Sequence, residues 1–144
     1  MTRIIITTVL FLIGVYTQAQ KNSTEKFHSI TVKIKNISTD HKKVYFSLYD
    51  KEGFKSHQPI SRQNSEVKNG KVTLTFNHIL NGEYAIIGFL DENDNQRLDF
   101  NIDTGIPTEL YGISNNPTLF GPPQFEIAKF KIEDKNLDLI INLQ

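Results

Sequence analysis

In the stretch LDENDNQRLDFNIDTGIP, residues 90–107, Asp91, Asn93, Asn95, Asp99 and Asp103 all fall on odd-numbered positions. Oxygens spaced this way can ligate calcium (Ca2+), which takes about six to eight of them from carboxylates, amides and backbone carbonyls. These five residues are therefore the candidate metal ligands. Residues 91–103 also hold five acids (Asp91, Glu92, Asp94, Asp99, Asp103) against the single base Arg97. Carboxylates crowded this closely repel one another, and a cation would relieve them. The competing reading needs no metal: Asp and Asn side chains accept hydrogen bonds from backbone N–H groups two residues on and tolerate left-handed backbone. A self-bonded turn explains the spacing by itself and is the leading reading.

The helix-loop-helix calcium motif is excluded. Counted from Asp91, its glycine position is Gln96 and its bidentate glutamate position is Ile102. A strand-like run, YAIIGFL, leads straight into the loop where a helix would be required. A looser calcium loop on a β-scaffold is the form that stays open.

Other chemistries find less support. A glycosidase-like hydrolase could draw on Asp91, Asp99, Asp103 and Glu109, but its carboxylates must face each other ~5–10 Å apart across a cleft. A domain with one main acidic loop seldom builds one. His28, His41, His57 and His78 show no ligand-pair spacing. GISNN, residues 112–116, lacks the last glycine of a nucleophile elbow, and Pro117 forbids the helix that should follow, so Ser114 reads as a turn residue. The chain has no cysteine, which removes disulfides, thiol catalysis and thiolate metal sites. There is no phosphate-cradling glycine loop, and a formal net charge of +0 gives no basic surface for nucleic acid. The reading is non-catalytic. Tyr45, Tyr49 and Tyr111 supply a second, binding-type chemistry, because exposed rings stack on sugars.

The elements that would position these groups are strands. Ile30, Val32 and Ile34 alternate with polar residues, as do Val44, Phe46 and Leu48, and Val72, Leu74 and Phe76. The run NGEYAIIGFL places Tyr84, Ile86 and Gly88 on one face. Phe125 and Ile127 shift phase to Ala128, Phe130 and Ile132, which predicts a bulged strand. Leu137, Leu139, Ile141 and Leu143 alternate to the C-terminus. Asn69-Gly70 and Asn81-Gly82 are turn signals, the second between two strands. With a further short strand near residues 110–113, this predicts an all-β, single antiparallel two-sheet sandwich of six to seven strands with one long acidic loop. GFKSHQPISRQ has room for one short helical turn. Residues 51–68 and 91–124 are the two long connections, where function is usually carried.

The N-terminus has the layout of a secretory signal: Arg3, an apolar run at residues 4–16, then Thr17-Gln18-Ala19. The run is shorter than the ~20 residues that span a bilayer. Residues 1–19 are expected to be removed, leaving a flexible lead-in at 20–27, the sandwich at 28–144 and no membrane span. Loss of Arg3 shifts the balance to 15 basic against 16 acidic residues. The product is expected in the periplasm or outside the cell.

The strand ending Phe89-Leu90-Asp91 continues into Glu92-Asn93 with Asn95, then Leu98-Asp99 and Asn101. Gly105-Ile106-Pro107 with Glu109, Gly112 with Ser114-Asn115-Asn116, and later Gly121, Pro123, Phe125 and Ala128 follow in order. This pattern resembles a bacterial family of exported proteins catalogued as domain of unknown function family 2141. The likeness runs from about Ser29 to the C-terminus. It departs at Asp94 and Gln96, where glycine is expected at one or both, which predicts a less sharply bent loop. The resemblance implies a prealbumin-like or immunoglobulin-like sandwich in the envelope and brings no activity. A looser similarity links GEYAIIGFLDENDN to carboxypeptidase-regulatory-type sandwiches, which are non-catalytic accessory domains. The functional expectation is an exported accessory module, with a calcium-ordered loop as one form of it, that binds an envelope protein. A carbohydrate-binding module taking a glycan is the alternative, and a hydrolase the second alternative.

Overall fold

The computed structural model describes residues 25–144. The expected signal segment, its cleavage point and the start of the lead-in lie outside these residues. Alternating burial marks the strands that the apolar pattern predicts. They are β1 (His28–Lys35), β2 (Lys43–Tyr49), β4 (Lys71–Ile79), β5 (Gly82–Asp91) and β8 (Leu137–Ile140); β3 is Ser61–Glu66, β6 Tyr111–Ile113 and β7 Phe130–Ile132. Two sheets result. One has the order β4-β1-β8; the other has the order β3-β2-β5-β6, with β7 also paired to β5. β6 and β7 share one side of β5, facing residues 87–89 and 82–84 respectively.

Ile30, Val32 and Ile34 meet Val44, Phe46 and Leu48 across the interior, with Phe76, Ile86 and Leu90 beside them, all fully buried. Complete burial of such a side chain is worth about 1.5–3 kcal/mol. Phe46 faces Gly88 in the β2–β5 register, and a Cβ at position 88 would fall on the Phe46 ring. The glycine is there to admit the aromatic ring.

The sequence expectations need correcting in several places. The described residues form eight strands. β3 lies inside the expected 51–68 loop and carries only polar side chains, SRQNSE. It is an edge strand held by its backbone ladder to β2, from Lys43↔Glu66 to Leu48↔Ser61, so it needs no apolar face. The same connection holds helix α1 (Lys51–Ser56), capped by Asp50, whose Oδ1 accepts from the Gly53 N–H at 2.7 Å. The expected bulge at residues 125–132 is a turn of helix, α2 (Phe125–Ala128), which runs into β7. Its buried positions Phe125 and Ala128 are three apart, a spacing that a phase-shifted strand imitates. β1 and β8 pair in parallel, Ile30↔Leu137 to Lys33↔Ile140, so the sandwich is not wholly antiparallel.

Asn69-Gly70 is a two-residue turn with φ of 52° and 66°, closed by Lys68 and Lys71. Asn81-Gly82 is not a hairpin, because there the chain leaves one sheet for the other. Beyond β8 the tail crosses to the second sheet, where Tyr111 and Gln144 exchange backbone hydrogen bonds at 3.2 and 2.9 Å. A second apolar cluster covers the outer face of the larger sheet: Ala85, Ile113, Phe125 and Ala128, with Phe54, Ile87, Tyr111 and Leu119 packed on it. No described helix is long and apolar enough to cross a membrane.

Candidate functional site

Asp91 ends β5 and is only 1% exposed. A carboxylate in that position is tolerable only if hydrogen bonds replace water. Its Oδ1 accepts from the Asn95 N–H at 3.1 Å and its Oδ2 from the Gln96 N–H at 2.9 Å. The chain can bend back that far because Asp94 and Gln96 take left-handed φ of 63° and 62°. The glycines expected there are absent, yet both positions adopt the glycine-type conformation.

Asx turns continue the pattern. Asn93 Oδ1 accepts from Asn95 N–H at 3.1 Å, and Asn95 Oδ1 from Arg97 N–H at 2.8 Å. The side-chain amides of Asn93 and Asn95 both donate to Asp99 Oδ2, at 2.6 and 2.8 Å. Asp91, Asn93, Asn95 and Asp99 are thus brought together, around N–H donors. Asp103 is not part of this group; its N–H donates to Asn101 Oδ1 in the next turn, and it is exposed. Among the described residues no group of three or more His, Asp or Glu side chains is arranged to hold a metal ion.

Glu109 is the second buried carboxylate, at 6% exposure. It clamps the loop from the other side, accepting from Glu92 N–H at 2.8 Å and Asp99 N–H at 3.1 Å. The Leu90 N–H donates to the Leu110 carbonyl at 2.8 Å, which sets Glu109 beside the start of the loop. Charge-assisted bonds of this kind are about twice as strong as neutral ones. In the sequence Glu109 stands out as a hydrolase carboxylate candidate and as one position of the family pattern. Its clamping role carries no local signal, because the groups it holds come much earlier in the chain.

Residues 99–108 project from this clamp as a narrow hairpin. Thr108 N–H donates to the Asp99 carbonyl at 2.9 Å and Asn101 N–H to the Ile106 carbonyl at 2.8 Å. At the tip, Asn101 Oδ1 accepts from Asp103 N–H, Thr104 N–H and Thr104 Oγ1. The hairpin displays hydrocarbon: Ile102 is 97% exposed, Ile106 62% and Phe100 56%. The spacing of acids marks this loop in the sequence, whereas no local pattern marks the exposure of its three apolar residues.

The aromatic candidates are all half-buried. Tyr45 stacks on Phe89 with centroids 5.6 Å apart, and Tyr49 meets Phe54 edge-on at 5.8 Å. Tyr111 packs on the outer apolar cluster. Register aligns Tyr45, Phe89 and Tyr111 across β2, β5 and β6, a row in which Phe89 was not foreseen. Ser114 is more than a turn residue. It is fully buried, accepts from Ile86 N–H at 3.0 Å and donates to the Ala128 carbonyl at 2.5 Å, pinning α2 to β5.

The histidines lie apart from the loop chemistry. His57 caps α1 in left-handed backbone, His41 meets Glu66 at 3.0 Å, and His78 touches Phe27 edge-on. His28 is buried with no partner for Nε2. Two clefts, of about 340 and 300 Å3, lie where β5 begins, at the end of that strand away from Asp91. They are lined by residues such as Asn81, Asp134, His28 and Asn136 and by none of the loop carboxylates.

No curated protein and no solved structure matches the chain. A family model described as "Uncharacterized protein conserved in bacteria (DUF2141)" matches residues 32–139, which include both sheets and the whole clamped loop. The chain belongs to that bacterial family.

Proposed function

We propose that this protein is an exported, non-catalytic binding module of the cell envelope, and that the hairpin at residues 99–108 is its docking element. One observation carries the reading: Phe100, Ile102 and Ile106 are exposed on a loop whose backbone is locked from beneath by the buried carboxylates of Asp91 and Glu109. Fixing a loop before binding reduces the ordering cost at the interface. Exposed hydrocarbon on a polar surface marks interaction sites. The carboxylates are occupied as backbone acceptors, which supports a role without chemistry. In the sequence the apolar tip is flanked by Glu92, Asp94, Asp99 and Asp103 with Arg97 as the one base of the segment, and only Asp94 gains an outside cation, Lys42 at 3.2 Å, so the partner is an envelope protein with an apolar pocket rimmed by cationic groups. The same charge disfavours an anionic lipid surface. The leader-like N-terminus supports export.

Site-specific photo-crosslinking in cells tests this. A probe at position 102 should give one discrete protein adduct, lost with Ile106→Asp and absent from a probe at Lys135. Equal labelling from both positions would refute it.

A second reading, glycan binding on the outer face of the larger sheet, is favoured by the Tyr45–Phe89–Tyr111 row with exposed Asn64 and Arg62 on neighbouring β3. A glycan array would show binding that Tyr45→Ala removes; an array with no binding eliminates the reading.

A further inference from the structure

The chain holds two Asn-Gly pairs, Asn69-Gly70 and Asn81-Gly82, and the fold treats them oppositely. In such a pair the glycine amide nitrogen, unshielded by a side chain, can reach the asparagine carboxamide carbon. Asn81 is prevented from moving toward it. Its Nδ2 donates to Asp134 Oδ1 at 2.9 Å, and its Oδ1 accepts from Asp134 N–H at 3.0 Å. Asn69 is exposed at the tip of its turn, and among the described residues its side chain makes no hydrogen bond. Lys68 and Lys71 close the turn on either side of the pair through their backbones.

We propose that Asn69 is a site of self-modification by deamidation. The Gly70 N–H gives its proton to the Asp40 carboxylate that already accepts from it at 2.9 Å, and the nitrogen bonds to Asn69 Cγ. The Cγ–Nδ2 bond breaks, and Nδ2 leaves with a proton as ammonia, closing a succinimide. Water then opens the ring at either carbonyl, giving aspartate or isoaspartate; no oxidant or reductant is involved. The isoaspartyl product adds a methylene to a two-residue turn whose Gly70 is held from two sides. Gly70 N–H donates to Asp40 Oδ1 at 2.9 Å, and its carbonyl accepts from Ile37 N–H at 3.1 Å. Conversion also sets a new carboxylate near Asp40. Both effects loosen the 36–42 connection, from which Lys42 reaches Asp94 of the acidic loop at 3.2 Å. The modification therefore acts as a slow covalent clock on the end of the molecule that carries the loop.

The test is timed incubation of the full chain at mildly alkaline pH, followed by peptide mapping and isoaspartyl methyltransferase labelling. Asn69 should convert more than about tenfold faster than Asn81, the factor expected when hydrogen bonds of ordinary strength restrain one amide. Asp134→Ala should raise the Asn81 rate toward that of Asn69, and in denaturant the two should converge. Equal rates in the folded protein, or an intact Asn69, would overturn the proposal.

Discussion

The sandwich interior and the acidic loop bury opposite things. Between the sheets, Ile30, Phe46, Phe76 and Leu90 are sealed from water while Thr73, Lys35 and their neighbours face it. In the loop, Asp91 and Glu109 are sealed while Ile102 and Phe100 face solvent. The first arrangement folds by removing apolar surface from water. The second folds by satisfying backbone donors with ionised acceptors, and it spends none of its exposed hydrocarbon on its own stability. What a segment leaves unused in folding is available for binding, and that difference is the basis of the docking proposal.

Removing an interior anchor should do the most damage. Phe46→Ala is expected to cost about 3–5 kcal/mol in denaturant unfolding, because the space that Gly88 leaves for the ring becomes a cavity. Glu109→Ala should come next, at roughly 2–4 kcal/mol, because the N–H groups of Glu92 and Asp99 lose their acceptor. Exchange of those amides should accelerate while β1 and β2 stay protected. If Glu109→Ala were silent, the loop would not owe its shape to the clamp. Ile106→Asp should shift stability by no more than about 0.5 kcal/mol, as expected of an exposed site, while abolishing the crosslink from position 102. A large loss of stability would place the tip in the fold and not at an interface.

The smallest expected effect is electrostatic. Hydrogen bonds from Lys129 and then Lys51 hold the Glu126 carboxyl below the usual carboxylate range. A lowered carboxylate pKa contributes stability above its unfolded value, and that contribution is lost as pH falls through the folded value. The Lys129 ammonium, raised by Glu126 and then Glu83, contributes below its unfolded value and loses this at alkaline pH. Both groups remain open to water, so screening keeps the effect small. Melts across the acid range should show slightly less steepening in Glu126→Gln than in the parent chain.

Five strands could be read directly because they bury one face, and period-two alternation records that in the side chains. β6 was foreseen from its position alone. β3 escaped because an edge strand of polar residues is specified by its partner's backbone. α2 escaped because Phe125 and Ala128 are spaced alike in a helical turn and a bulged strand. The parallel β1–β8 pair is set by which strands become neighbours, and no local pattern encodes that. In the loop, the turn-forming role of Asp91, Asn93 and Asn95 was legible from their type and spacing. Glu109 was not legible as a clamp, because it acts across a long separation in the chain. Nor did Asp94 and Gln96 announce their left-handed backbone, which the Asp91 carboxylate holds in place of glycine.

Amide hydrogen exchange of Glu92, Asn95, Gln96 and Asp99, measured with calcium and with chelator, tests the central claim most directly. A loop held by Asp91 and Glu109 should protect these amides equally in both conditions, with Glu92 and Asp99 losing protection in Glu109→Ala and Asn95 and Gln96 losing it in Asp91→Ala. Protection that appears only when calcium is added would show that the carboxylates serve the ion and not the backbone.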